Sequence, residues 1–171
     1  MIGTSCSGKT TFAAKLAARL DVRHIELDQL HWLPGWQART YDEFRQVVQR
    51  APDGERWVVD GNYGKVRDIT WRRATAIAWL DYSFPVIFFR AITRSIKRIV
   101  MREELFSGNR ETFRETFLSR DSILRWVLTT YRRRRREYPR LFRMPEHAHL
   151  EIHRIPEPRA AQSFLEEIPP V

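Results

Sequence analysis

The chain has 171 residues, 43% of them hydrophobic, one cysteine (Cys6) and a formal net charge of +9. This length suits one domain with a substantial core rather than two. The lone cysteine excludes an intramolecular disulfide, and no apolar run approaches the roughly 18 residues of a membrane helix. The start lacks the charged-then-apolar pattern of a secretory signal, so a cytoplasmic protein without a membrane partner is expected.

The first predicted element is a motif. Residues Gly3-Thr4-Ser5-Cys6-Ser7-Gly8-Lys9-Thr10 match G-x-x-x-x-G-K-[ST], the phosphate-binding loop of ATP- and GTP-using proteins. Glycines at both ends allow turns closed to other residues, so that successive N–H groups converge on phosphates. Lys9 adds a point charge, and Thr10 a hydroxyl able to ligate Mg²⁺ at a helix start whose dipole also favours anions. With Thr11 these residues form the expected nucleotide-binding set. Cys6 reads as a variable loop position or as an oxidation-sensitive thiol. Only Met1 and Ile2 precede Gly3, whereas such a loop follows a buried strand that aims it. The first strand is therefore expected to be missing or truncated, with the natural product starting upstream; the alternative is a genuine short start.

Lys9 to Leu20 reads as a helix, with Phe12, Leu16 and Leu20 at four-residue spacing. Val22 to Leu27 reads as a strand ending at Asp28, followed by a loop carrying Trp32, Pro34 and Trp36. Thr40 and Glu43 have capping-box spacing for the next helix. Arg56 to Asp60 is a predicted strand, Val66 to Arg73 a short helix, and Ala74 to Asp81 a strand apolar enough for burial on both faces. A long helix follows from Pro85 to about Arg102, then a break at Ser107-Gly108-Asn109. Helical spacing resumes over Thr112 to Leu118 and from Ser122 to Tyr138, where Pro139 ends or kinks it. His149 to Ile155 alternates as a last strand, and Pro158 opens a last helix. Such alternation predicts an α/β three-layer sandwich with a mainly parallel sheet, in one domain over residues 1–171.

Asp28, Asp60 and Asp81 each end a predicted strand, on the sheet edge where ligands bind. Asp60, before Gly61, is expected to hold Mg²⁺ with Thr10, and Asp28 to orient the acceptor hydroxyl. Asp81 is read as possibly only a helix cap. Trp32, Trp36 and Tyr63 either stack on a base or sugar or pack under their loop. From Arg90 to Arg143, fifteen Arg and one Lys stand against six acids, a net of +10 that leaves the remainder nearly neutral. Arg90, Arg94, Arg98 and Arg102 form a stripe at four-residue spacing. With Arg110 and Arg114 beyond the Gly108 break, that stripe suits a flap whose arginines neutralise a moving phosphoryl group. Arg132 to Arg136 covers every side of its helix and reads as a charged surface. His147, His149 and His153 lack the spacing of a zinc site.

Taken together, Gly3 to Thr10, Leu27-Asp28-Gln29-Leu30-His31-Trp32 with Pro34 and Trp36, Val59-Asp60-Gly61-Asn62-Tyr63, Leu80-Asp81-Tyr82 and Leu105-Phe106-Ser107-Gly108-Asn109-Arg110-Glu111 resemble the topology modulation proteins of bacteria (FlaR-type). These are adenylate-kinase-like P-loop kinases, and the resemblance spans nearly the whole chain. It implies a P-loop NTPase fold of the nucleoside-monophosphate-kinase type, with five parallel strands, an acceptor region at about 28–55 and an Arg-rich lid at about 102–120. Asp60-Gly61 falls where adenylate kinases carry Asp-Gly, but the Pro-Arg that follows there is Tyr63-Gly64 here, a departure bearing on AMP as acceptor. Asp28 matches the acceptor-binding aspartate of shikimate-type kinases.

The expected activity is a Mg²⁺- and ATP-dependent phosphotransfer onto an unidentified small molecule or nucleotide, with Lys9, Asp28, Asp60, Arg102 and Arg110 as its catalytic set. The alternative, from another class, is a nucleotide-regulated DNA-binding protein using Arg132 to Arg136. No helix-turn-helix or zinc-finger pattern accompanies those arginines.

Overall fold

Two parallel strand ladders occupy the centre of the molecule, in a computed structural model that describes residues 1–52, 54–101, 104–109 and 123–169. In the first, β2 (Arg23–Glu26) pairs with β5 (Trp57–Asp60), placing His24 opposite Val58 and Glu26 opposite Asp60. In the second, β6 (Ala76–Leu80) lies between β1 (Ile2–Gly3) and β7 (Glu151–Ile155), both parallel to it. The first strand, expected to be missing or truncated, is two residues long, and its segment bonds to both ladders. Ile2 and Gly3 pair with Trp79 and Leu80, while the Met1 ammonium donates to the Val59 carbonyl at 2.7 Å and the Gly61 N–H donates to the Met1 carbonyl at 3.3 Å.

Alternation along the strands sends successive side chains to opposite faces. In β5, Val58 meets Ala13 and Ala17 of α1 (Lys9–Arg19), whereas Val59 meets Phe44 and Val48 of α3 (Tyr41–Arg50). In β6, Ala78 and Leu80 pack with Ile87 of α5 (Phe84–Met101), Val127 and Tyr131 of α6 (Ile123–Phe142) and Ala161 of α7 (Pro158–Glu167). Ile77 and Trp79 point the other way, to Trp71 of α4 (Arg67–Arg73) and Tyr138 of α6. The result is an α/β architecture with mainly parallel strands and helices on both faces. Phe44 is fully buried, a burial worth about 1.5–3 kcal/mol.

Local chemistry sets most element ends. The capping box that opens α3 has both halves: the Glu43 N–H donates to Thr40 Oγ1 at 3.4 Å, and the Thr40 N–H donates to Glu43 Oε2 at 3.1 Å. Two boundaries differ from expectation. The strand predicted to run to Leu27 stops at Glu26, and Leu27–His31 forms a short helix, α2, so Asp28 sits in a helical first turn. α6 continues past Pro139 to Phe142. Proline forfeits one backbone bond there, and the added turn packs Phe142 on Trp71, Trp79 and Tyr138.

Between α2 and α3, β3 (Trp32–Leu33) and β4 (Gln37–Ala38) form a small antiparallel pair around the Pro34–Trp36 turn. A further 3-10 turn, Phe106–Gly108, follows α5. Among the described residues no helix is long and apolar enough to cross a membrane. Most of the expected lid at 102–120, including Arg102, Arg110 and Arg114, lies outside the described residues.

Candidate functional site

The loop from Gly3 to Gly8 joins β1 to α1 and is held from below. Gly3 has φ +152°, and a Cβ there would stand 2.7 Å from the Leu80 carbonyl oxygen, so only glycine lets the loop leave the sheet at this angle. Asn62 brackets the same glycine, accepting from its N–H at 3.2 Å and donating to its carbonyl at 2.7 Å, while Tyr138 donates to Asn62 Oδ1 at 2.9 Å. Gly8 precedes α1 in a left-handed conformation, φ 90°, with no side-chain cap on the helix. The first N–H groups of α1 therefore have no side-chain cap.

Ser5 to Thr11 line one wall of a cleft of about 1980 Å³. Lys9 Nζ donates to the Thr4 carbonyl at 3.3 Å. Burial lowers its ammonium pKa to about 8, with Arg134 adding to the shift and Asp28 and Asp60 opposing it. Thr10 Oγ1 donates to Asp60 Oδ2 at 2.7 Å and lies 3.3 Å from Glu26 Oε1. One hydroxyl hydrogen cannot serve both carboxylates. Burial, then Asp60 and Asp28, pushes the Glu26 carboxyl above its ordinary value. Asp60 is itself buried, and His24 Nε2 meets its second oxygen at 3.1 Å. Lys9, Thr10 and Asp60 therefore converge as expected.

Asp28 lies on the cleft and accepts the Tyr63 phenol at 2.5 Å. Burial, then the adjacent carboxylate, raises the Tyr63 pKa, so the phenol stays a donor. Trp32 and Trp36 stand edge to face, 5.6 Å between centroids, on the same cleft. Their loop is tied to the Phe106–Gly108 turn: Ser107 Oγ donates to the Trp32 carbonyl at 2.8 Å, Asn109 Nδ2 to the Leu33 carbonyl at 3.0 Å, and the Trp36 N–H to Asn109 Oδ1 at 2.9 Å.

Of the expected arginine stripe, Arg90, Arg94 and Arg98 line the cleft, while Arg102 and Arg110 lie outside the described residues. Arg90 Nη1 donates to the Ser7 carbonyl at 2.8 Å and Arg134 Nη1 to the Gly3 carbonyl at 3.3 Å. The buried Ser7 Oγ and Arg94 Nε have no hydrogen-bond partner among the described residues. Arg134 departs from the reading of its run as charged surface. Arg132, Arg133, Arg135 and Arg136 are exposed, while Arg134 is 7% exposed and its pKa is lowered by burial. The signal was present: Val127, Tyr131 and Tyr138 mark the inner face of α6, and position 134 falls on that face at helical spacing.

Sequence reasoning also missed Glu26, His24 and Asn62. Glu26 and His24 alternate along β2, and their pairing with β5 was needed to find their neighbours. Asp81 is not part of the site. It accepts from Arg135 Nε at 2.9 Å and from Arg154 Nη2 at 2.6 Å. Among the described residues, no group of three or more His, Cys, Asp or Glu could hold a metal ion. No protein-family model and no curated protein matches the chain.

Proposed function

We propose that this chain is a P-loop phosphotransferase of the adenylate-kinase-like, topology-modulation type, which moves the terminal phosphoryl group of ATP onto a small hydroxyl compound. The observation that carries the reading is the 2.7 Å bond from Thr10 to buried Asp60, beside Lys9 and at the uncapped start of α1. Thr10, which lines the cleft, is thereby joined to a buried carboxylate fifty positions away, and Asp28 lines the same cleft.

The donor set fits Mg²⁺, which takes one or two protein oxygens and completes its shell with phosphate oxygens and water. Thr10 and Asp60 would be those oxygens, and the ion, when bound, would offset negative charge on the phosphates of the nucleotide. The unpartnered Ser7 Oγ and Arg94 Nε fit an anion in the same place. Lys9, Arg90 and Arg94 hold the phosphates, and the free N–H groups of α1 add their dipole.

Asp28 positions the acceptor hydroxyl and takes its proton. The acceptor oxygen forms a bond to the γ-phosphorus, the bond from that phosphorus to the β–γ bridging oxygen breaks, and ADP leaves with the electron pair. Tyr63 fixes the carboxylate for this step by donating to one of its oxygens.

The test is Lys9→Ala. Turnover with ATP, Mg²⁺ and pooled small metabolites should fall by about 10²–10³, with the thermal transition retained. Full activity in the variant would remove the assignment. The nucleic-acid alternative rests on the exposed Arg132, Arg133 and Arg136; tight, steeply salt-dependent DNA binding without phosphotransfer would favour it.

A further inference from the structure

The cleft is divided by charge. Every Lys and Arg that lines it among the described residues belongs to α1 or α5: Lys9, Lys15 and Arg19 on the first, Arg90, Arg94, Lys97 and Arg98 on the second. The wall built from residues 26–63 contributes instead Glu26, Asp28, Gln29, Trp32, Trp36 and Tyr63. Three cations in or just after this region are engaged away from the cleft. Arg39 donates to the Leu30 carbonyl, Arg45 is bidentate on Asp68 at 2.6 and 2.8 Å, and Arg67 pairs with Glu137 at 2.9 Å. Glu104, from the segment latched over this wall, adds a further carboxylate to the lining.

A monophosphate recognised here would bring a dianion to a wall of carboxylates and aromatic rings. Sites that hold such anions present bidentate arginines or helix N-termini. A wall of this composition fits the opposite chemistry, in which rings cover the face of a flat or cyclic molecule and carboxylates accept from its hydroxyl groups. Building on the phosphotransfer reading above, we infer that the acceptor is a neutral polyhydroxylated ring compound carrying no phosphate or carboxylate. Asp28 accepts the reacting hydroxyl and Trp32 and Trp36 provide its apolar wall. Nucleosides and free sugars or cyclitols are the two sources of that chemistry. The reaction then installs the first phosphate on its acceptor, forming a phosphomonoester and ADP, and is not an exchange between two nucleotides.

Calorimetric titration of the full chain tests this in two stages. Mg²⁺ with a non-hydrolysable ATP analogue is titrated first, because it fills the donor side and reports on the phosphotransfer reading by itself. The saturated complex is then titrated with ribonucleosides, hexoses and inositol, and with the monophosphate of each. The expected result is that at least one neutral compound binds ten times or more tighter than its own monophosphate, and that Asp28→Asn removes most of this binding while analogue binding persists. The arm that binds identifies nucleoside or sugar. Analogue binding with a monophosphate preferred, or with no neutral compound bound at millimolar concentration, overturns the inference and leaves the phosphotransfer reading standing. Absence of analogue binding overturns the phosphotransfer reading and this inference with it. A second variant, Gln29→Lys, places a cation on the acidic wall and should shift preference toward the monophosphate by about tenfold. An unchanged preference would count against the charge argument.

Discussion

A guanidinium carried into the interior loses its hydration and regains it only against something anionic. Arg134 has the Gly3 carbonyl and the nearby Glu137 and Asp28 carboxylates, but burial outweighs them and its charge in turn depresses the Lys9 pKa. Without a ligand this arrangement opposes folding, and on the proposed function it would favour binding of a polyphosphate. Arg134→Met should therefore stabilise the unliganded protein by about 1 kcal/mol, roughly 2–4 °C in Tm for a chain of this size. The same substitution should weaken ATP affinity about tenfold, or about 1.4 kcal/mol. Thermal scans with and without Mg²⁺-ATP measure both effects, and a fall in Tm of the unliganded variant would refute the argument. His31 gives a pH effect of definite sign. Burial holds its imidazole below the ordinary 6.5, against Trp32, Phe44 and Tyr63, and its Nδ1 has no partner among the described residues. The unfolded chain takes up a proton below that value while the folded chain resists it, so stability is full above about 6.5 and declines as pH falls toward the lowered folded value. Urea midpoints at about pH 7.5 and 5.5 should differ less in His31→Phe than in the parent. An equal difference would show that another group carries the acid sensitivity.

The short segment after α5 acts on the site through its backbone as well as its side chains. Trp36 and Ser107 both hold left-handed conformations, each at φ 56°, on either side of the contact that Asn109 closes. Each such residue stores of order 1–3 kcal/mol when it is not glycine. Asn109 is buried and satisfies the Trp36 N–H together with the Leu33 and Phe106 carbonyls. Asn109→Ala leaves those groups unpaired, at about 1–3 kcal/mol, and should release the strained loop. The expected readout is faster amide exchange over residues 32–38 with little change in β5 and β6. A uniform increase across the molecule would mean global destabilisation instead. How legible such elements were depended on the range of the interaction that ends them. The α3 capping box lies within four residues, and the sequence located it. The end of β2 depends on Leu27, which packs over Gly61 so closely that an added Cβ would stand 2.7 Å from Leu27 Cβ. A contact spanning that much chain has no local signature, and the strand was read one residue too long. At Pro139 a local rule met distant packing by Phe142, and packing prevailed.

Across the whole molecule, the net charge of the Arg90–Arg143 segment was legible but its allocation was not. Arg132 to Arg136 reads from the sequence as a charged surface, yet Arg135 of that run is spent on structure. Arg135 and Arg154 converge on Asp81, which ends β6, and so tie α6 and β7 to the centre of the second ladder. Asp81 is 2% exposed at its side chain, whereas Arg135 and Arg154 are 40% and 57% exposed. Removing the carboxylate therefore leaves two cations that can turn to water, and the cost is smaller than for a fully buried pair. Asp81→Asn should lower stability by about 1–2 kcal/mol, between the values for exposed and buried pairs. The consequence reaches the Gly3–Gly8 loop, because α6 also carries Arg134, which donates to the Gly3 carbonyl. Arg134 directly precedes Arg135 of the anchor, so on the proposed function loosening Asp81 should weaken ATP binding even though Asp81 does not line the cleft. Comparison of Asp81→Asn, Arg134→Met and the double variant separates the two routes. If the anchor acts by placing Arg134, the double variant binds ATP no more weakly than Arg134→Met alone, a coupling of the kind expected for residues sharing one network. Fully additive losses would mean that Asp81 acts on the site by another path.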